Sequence, residues 1–193
     1  SPCLFPPGQE PTGRPLLTEF LRQLRQAIRA RSQQTNREMR LAIRVPPSRA
    51  RCLAAGIDID RWIAERLVDV VTPMDRGYFD PEPKLSDFAK HAKQHHVTVL
   101  GGIEPKVRGY RQNSRQTFAA VSSFLHSGAD GIYLFNYDCH RLQAASSKFG
   151  GVLKPYTKDE AFFLKTASDA GIVRYRNKQF LVSQATNLRL AGK

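Results

Sequence analysis

The segment Val97-Thr-Val-Leu-Gly-Gly-Ile-Glu104 combines a short apolar run with a carboxylate at its end. The run is typical of a buried β-strand. In a βα barrel the C-terminal ends of the strands form the active face. Glu104 at such an end makes the chain a candidate carbohydrate-processing enzyme, although glycoside hydrolysis usually uses two carboxylates.

Three further apolar runs recur along the chain at intervals of roughly thirty residues. They are Leu41–Val45, Val68–Thr72 and Gly131–Tyr137. Helical patterns separate the runs, and the clearest of them covers Leu85–Gln94. Alternation of this kind predicts the α/β class, with parallel strands covered by helices.

The first helix is predicted from a row of apolar residues at helical spacing. Pro15 suits a first helical turn, so residues 1–14 are expected to form a loop and the helix to run to about Ser32. The apolar row consists of Leu17, Phe20, Leu21, Leu24 and Ile28. Most arginines of this segment should occupy the opposite, solvated face.

Capping residues mark the starts of the following helices. The predicted caps are Ser48, Asp58 and Ser114. The residues between Glu104 and Ser114 should form a polar loop. Further on, we predict a helix over Asp159–Ala170 and a hairpin that joins Val173–Tyr175 to Gln179–Val182.

The number of strands limits the architecture. Four parallel strands cannot close an eight-stranded barrel. The alternatives are an open doubly wound sheet, half of a barrel completed by another chain or a second copy, and a barrel fragment. The leading helix, with no strand before it, favours a half or a fragment. We predict a partial TIM-barrel domain over residues 1–172, with about four βα units, and a C-terminal extension over residues 173–193.

A weak internal repeat places an aspartate directly before two of the predicted strands. Asp69 precedes Val70, and Asp130 precedes Gly131. Both would lie at the N-terminal ends of the strands, away from the active face of a barrel. We therefore expect these aspartates to stabilise turns.

Composition bounds the class of protein. The 193 residues are 41% apolar, which suits one soluble domain, and the apolar runs are too short to span a bilayer. No signal peptide is visible, so the compartment stays open. Cys3, Cys52 and Cys139 lack metal-ligand spacing and are expected to be free thiols. We predict neither a metal nor another cofactor.

The net charge of +13 favours polyanions as partners. Six arginines carry much of the local excess: Arg22, Arg25, Arg29, Arg31, Arg37 and Arg40. No aromatic residues interleave with them, which argues against nucleic acid as a partner. A solvated helix face is the competing interpretation.

Several stretches of the chain resemble one family. They are Phe5-Pro-Pro-Gly8, Arg14-Pro-Leu-Leu-Thr-Glu-Phe20, Leu41-Ala-Ile-Arg-Val-Pro46, Gly77-Tyr-Phe-Asp80 and Gly128-Ala-Asp-Gly-Ile-Tyr-Leu-Phe-Asn136. The family is the glycosyl hydrolase-like family ten, bacterial proteins with a TIM-barrel fold. The resemblance covers roughly residues 4–175 and implies that the chain corresponds to the second half of the barrel.

The resemblance also implies a role for Glu104. Many retaining glycosidases of this fold place the acid/base at the end of strand four and the nucleophile at the end of strand seven. Counted in that way, Glu104 ends strand seven, and its partner carboxylate would precede Ser1. Glu104 is then one half of a catalytic pair, and the chain alone should have little activity.

Further residues are predicted to bind the carbohydrate. They are Arg44, Asp75, Tyr78, Asn136, Tyr137 and Asp138. Strand-end polar groups can bond sugar hydroxyls, and aromatic rings, Tyr133 among them, can stack on sugar faces. Arg44 can keep a neighbouring carboxylate ionised, as a nucleophile requires. Alternatively, Arg44 or Arg108 forms a structural ion pair with Glu104.

Two other functions remain open. The Gly150-Gly151 pair suits a phosphate-binding loop after the last strand of a barrel, which would indicate an enzyme acting on a phosphosugar. A non-catalytic module that binds glycans or polyanions is the second alternative. Steep salt dependence without turnover would identify such a module.

Overall fold

The computed structural model of the chain describes residues 4–74, 85–104, 106–107, 110–137 and 155–180. Its elements are α1 (Glu10–Thr35), β1 (Ala42–Val45), α2 (Arg49–Ala54), α3 (Ile59–Ala64), β2 (Val70–Pro73), α4 (Leu85–Gln94), β3 (Thr98–Ile103), β4 (Lys106–Val107), β5 (Tyr110–Arg111), α5 (Ser114–His126), β6 (Gly131–Leu134), α6 (Lys158–Thr166) and α7 (Ala170–Arg174). The predicted alternation of strands and helices is confirmed.

The main sheet is parallel and its strands follow the order β1-β2-β3-β6. Arg44 lies opposite Thr72, and Leu100 lies opposite Gly131. A doubly wound sheet would reverse its strand order at a switch point, whereas this order is sequential. The fold is therefore α/β with a singly wound parallel sheet that is not closed into a barrel, and the doubly wound alternative is wrong.

Strand alternation gives the sheet two different faces. In β3 the odd-numbered residues Val99 and Ile103 are buried, and a Cβ built on Gly101 would meet Phe124 of α5 at 2.4 Å. This face is the one that the helices cover. The opposite face, here called the open face, is exposed at its two edge strands, where Arg44 and Tyr133 lie.

Helix α1 departs from its prediction at both its start and its orientation. It begins at Glu10, and Pro15 lies inside it. The helix presents Thr18, Leu21 and Arg25 to the core, while Phe20 is 57% exposed. The predicted placement of Phe20 in the core is thus wrong. Arg25 is the buried exception among arginines that mostly lie on the solvated face, because its partners Leu67 and Asp69 lie just before β2.

Two of the three predicted helix caps are confirmed. The side chain of Ser48 accepts from the Arg51 N–H, and that of Asp58 accepts from the Arg61 N–H. Helix α5 is capped by Asn113 instead of Ser114. Asn113 is three residues before Gln116, and the two form a reciprocal capping box that Ser114 cannot make.

The loop after Glu104 and the C-terminal region differ from prediction. The loop contains the short antiparallel pair of β4 and β5, which the sequence analysis missed. The expected strand Val173–Tyr175 is wrong, because Ala170–Arg174 is helical, with Asp169 as its cap. Val173 is 1% exposed and belongs to the hydrophobic core, so α7 buries this residue on its apolar face.

The two aspartates of the internal repeat have a structural role, although they bridge neighbouring strands and not the turns that we predicted. The Leu41 N–H donates to Asp69 Oδ2 at 2.6 Å, and the Val99 N–H donates to Asp130 Oδ2 at 2.8 Å. Each carboxylate thus ties the N-terminal end of its strand to the preceding strand. Asp69 also forms an ion pair with Arg25 at 2.8 Å. Among the described residues, Asp130 has no corresponding ion pair with an arginine or lysine.

Cys52 is a free thiol that packs at the centre of the core, with no exposed surface. Burial raises the pKa of this thiol to about 12. Because the thiolate is the nucleophile, we expect N-ethylmaleimide at a pH of about 8 to spare Cys52 in the folded protein and to label it after denaturation. Mass spectrometry of the Cys52 peptide measures this difference. Equal labelling rates in the two states would contradict the burial of the thiol.

Candidate functional site

Glu104 lies directly after β3, at the C-terminal end of the parallel sheet. Alternation along β3 places it on the open face, the same face as Gly102. Its side chain is half-buried, and its backbone oxygen accepts from Gln112 Nε2 at 3.4 Å. The predicted strand-end position of Glu104 is therefore confirmed, while a catalytic role stays a prediction.

Gln112 is a neighbour of Glu104 that the sequence analysis did not single out. It is 7% exposed, and its Oε1 atom is buried without a hydrogen-bond partner among the described residues. A buried unsatisfied carbonyl destabilises the fold and marks a position for scrutiny. Gln112 follows the two short strands β4 and β5, which are too short to show a periodic pattern in the sequence, so sequence analysis could not have identified it.

Arg44 crosses the open face and stacks on an aromatic ring at the other edge of the sheet. Its Cζ atom lies 4.1 Å from the centroid of the Phe135 ring. Phe135 in turn stacks with Tyr133, with ring centroids 6.3 Å apart and an angle of 28° between the rings. We call Arg44, Tyr133 and Phe135 the stacked platform. Phe135 is a site residue that the sequence analysis missed, although its i, i+2 spacing from Tyr133 could have indicated it.

The stacked platform and Glu104 occupy the same end of the sheet. The Phe135 N–H donates to the oxygen of Ile103, the residue before Glu104, at 2.9 Å. Arg44 takes part in none of the ion pairs found among the described residues. The expected ion pair between Arg44 and Glu104 is therefore absent, and the guanidinium instead lies over the Phe135 ring. Arg108 lies outside the described residues.

The last strand brings one further predicted residue to this end. Asn136 is exposed and has a φ of 53°, a left-handed conformation that asparagine tolerates. Tyr137 stacks on Phe163 of α6, with centroids 5.9 Å apart, so its ring contributes to packing. Asp75, Tyr78 and Asp138 lie outside the described residues, and so does Gly150-Gly151.

Half of the six basic residues of the first segment are paired. Arg22 bonds Glu65 and Glu19, Arg25 pairs with Asp69, and Arg40 pairs with Glu38. The hydrogen bonds from Arg22 hold the pKa of Glu65 below its ordinary value. These contacts give half of the six arginines a carboxylate partner within the fold.

A separate cleft of about 530 Å³ opens at the opposite end of the sheet. Its lining includes the titratable residues Lys90, Lys93, His96, His126 and Asp130. The C-terminal ends of α4 and α5 approach it, and their carbonyl groups disfavour anions. This cleft lies at the end of the sheet opposite Glu104, whereas the chemistry of strand ends favours the Glu104 end.

The fold and this end of the sheet define a parallel α/β protein with one carboxylate, one stacked arginine and exposed aromatic surface. In the described parts of the chain, no three side chains of His, Cys, Asp or Glu gather as metal ligands would. Nor does any helix there have the length and apolarity needed to cross a membrane. No protein-family model matches the sequence, and a search of curated proteins finds no match.

Proposed function

We propose that the protein is glycoside hydrolase-like and acts on a carbohydrate, with Glu104 as nucleophile or electrostatic stabiliser. One observation carries the proposal: Glu104 follows β3 at the C-terminal end of a parallel sheet, beside the stacked platform. Aromatic rings stack on the apolar faces of sugars, and a nearby carboxylate can act at the glycosidic bond. The resemblance to the glycosyl hydrolase-like family supports the same proposal.

Retaining hydrolysis requires two carboxyl groups about 5–5.5 Å apart, one as nucleophile and one as acid/base. Glu104 would attack the anomeric carbon while the partner carboxylic acid donates its proton to the glycosidic oxygen, so that the glycosidic bond breaks and the leaving group departs as an alcohol. Asp75 and Asp80 follow β2 in the chain and lie outside the described residues. The proposal therefore assigns the binding of the sugar and one of the two chemical roles to this chain.

The proposal predicts that Glu104→Gln weakens the binding of a saccharide. We expect about a tenfold rise in Kd, equivalent to about 1.4 kcal/mol, because the amide cannot accept two strong hydrogen bonds from sugar hydroxyls. Calorimetric titration of a panel of neutral and acidic oligosaccharides measures the effect. Turnover of aryl glycosides by the same samples is recorded in parallel and should be slow.

Glu38→Gln is the matched control, because it makes the same chemical change at an exposed carboxylate on the loop after α1. It should leave saccharide binding unchanged. Robust turnover that Glu104→Gln abolishes would establish the catalytic role and refute the need for a partner carboxylate outside the chain. If Glu104→Gln leaves both binding and turnover unchanged, Glu104 has no role.

A further inference from the structure

We infer that Arg44 selects a sugar that carries a carboxylate, so that the ligand of this site is a uronic acid-containing glycan. The inference rests on the proposed function, since it names the class of carbohydrate that the Glu104 end of the sheet would bind. It depends on the stacked platform and on the state of the Arg44 guanidinium within it.

Among the described residues, the Arg44 guanidinium lies over the Phe135 ring, with Cζ 4.1 Å from the ring centroid. Tyr133 stacks with Phe135 in turn. A guanidinium over an aromatic ring is attracted by the ring and loses little further side-chain entropy on binding. The group is therefore oriented before any ligand arrives.

The N–H groups at the edge of the Arg44 guanidinium are available to donate hydrogen bonds to a ligand. Among the described residues, the Arg44 side chain donates no hydrogen bond and contacts no carboxylate, and the residue is exposed. Arg22, Arg25 and Arg49 each have a carboxylate partner in the fold. Arg44 differs from them in that stacking replaces ion pairing. Its planar fork fits the two oxygens of a carboxylate.

The platform joins this charge to a surface for a sugar ring. Tyr133 is 37% exposed beside Phe135, so a ring can stack there while its carboxylate reaches the guanidinium. A neutral sugar would use the aromatic surface and leave the donors of Arg44 to water. Selectivity for the acid over its neutral form therefore depends on Arg44.

The experiment compares uronic acid oligomers with their methyl esters, in which a methyl group removes the charge of the carboxylate and the sugar ring is unchanged. Oligomers of galacturonate, glucuronate and mannuronate are titrated calorimetrically at one fixed ionic strength. We expect the wild-type protein to bind at least one acid roughly tenfold more tightly than its ester. Arg44→Gln should abolish that preference, and Arg44→Lys should restore only part of it, because lysine keeps the charge without the fork.

Arg29→Gln is the matched control, because it removes the same charge from an exposed position of α1. It should keep the full preference for the acid. Thermal melts of each variant confirm folding, and Arg44→Lys provides the comparison if Arg44→Gln does not fold.

Three results would overturn the inference. Equal binding of acid and ester refutes selection by charge but leaves the proposed carbohydrate function intact. A loss of preference in Arg29→Gln as large as in Arg44→Gln would show that the effect arises from overall charge. If no oligomer binds in either form and neutral saccharides also fail, the proposed function itself falls.

Discussion

Replacing Asp69 with alanine should lower the free energy of unfolding by about 3 kcal/mol or more, whereas the same change at Asp130 should cost about 1 kcal/mol. The two aspartates occupy equivalent places before β2 and β6, and each accepts from a backbone N–H of the preceding strand. They differ because only Asp69 has a buried arginine partner among the described residues.

The larger loss of stability expected for Asp69→Ala arises from Arg25, which is 6% exposed. Its Nε donates to the oxygen of Leu67 at 3.1 Å, and its Nη2 lies 2.8 Å from Asp69 without the geometry of a hydrogen bond. Removing the carboxylate leaves a buried cation without its counter-charge, which typically costs several kcal/mol. Because the Asp69 side chain is partly exposed, we expect a loss of unfolding free energy of about 3 kcal/mol, near the lower end of what breaking a buried ion pair costs.

Urea denaturation followed by circular dichroism measures both variants under one set of conditions. Asp69→Asn serves as the control, since it keeps an acceptor for the Leu41 N–H and removes only the charge. Combining Arg25→Met with Asp69→Ala should cost less than the sum of the two single changes, because no charge is then stranded. Equal losses from Asp69→Ala and Asp130→Ala would contradict a stabilising role of the Arg25 contact.

The second large effect is expected from Gly101→Val, which should destabilise the protein by about 3 kcal/mol. A Cβ at Gly101 would lie 2.4 Å from Cγ of Phe124, and Phe124 is 3% exposed in the core. The ring cannot move into solvent without carrying α5 away from β3. A β-branched residue therefore forces the helix and the strand apart.

Gly131→Ala is the matched control on the adjacent strand. Its added Cβ would meet only Cδ2 of Leu100 at 3.2 Å, the end of a flexible side chain. The expected change is below about 1 kcal/mol, since alanine also restricts the unfolded chain. Adding Phe124→Ala to Gly101→Val should recover part of the lost stability, as judged by thermal melting. A Gly101→Val protein as stable as the wild type would contradict the close approach of α5.

Local chemistry predicted many elements of the fold. Helix α4 spans Leu85–Gln94 as predicted, and Ser48 and Asp58 cap the helices that follow them. These features depend on neighbours within a few residues, so the sequence pattern contains the information that they need. The pair Gly101-Gly102 allows close packing on both faces of β3, because Gly101 admits Phe124 on the covered face and Gly102 admits Met74 on the open face.

The candidate site was only partly predictable. Glu104 was found because a strand followed by a carboxylate is visible in the sequence. The stacked platform was not found, since Arg44 and Phe135 lie at opposite edges of the main sheet, with β2 and β3 between them. Only the curvature and register of the sheet bring the two side chains together.

The sequence by itself determined the α/β alternation, the strand-end position of Glu104 and the helix caps Ser48 and Asp58. Each of these follows from spacing or from hydrogen bonds close to the residue concerned. The tertiary structure decided the sequential strand order, the inward orientation of Arg25 and the stacking of Arg44 on Phe135. Those depend on contacts between residues distant in sequence, where burial and partner geometry outweigh local preference.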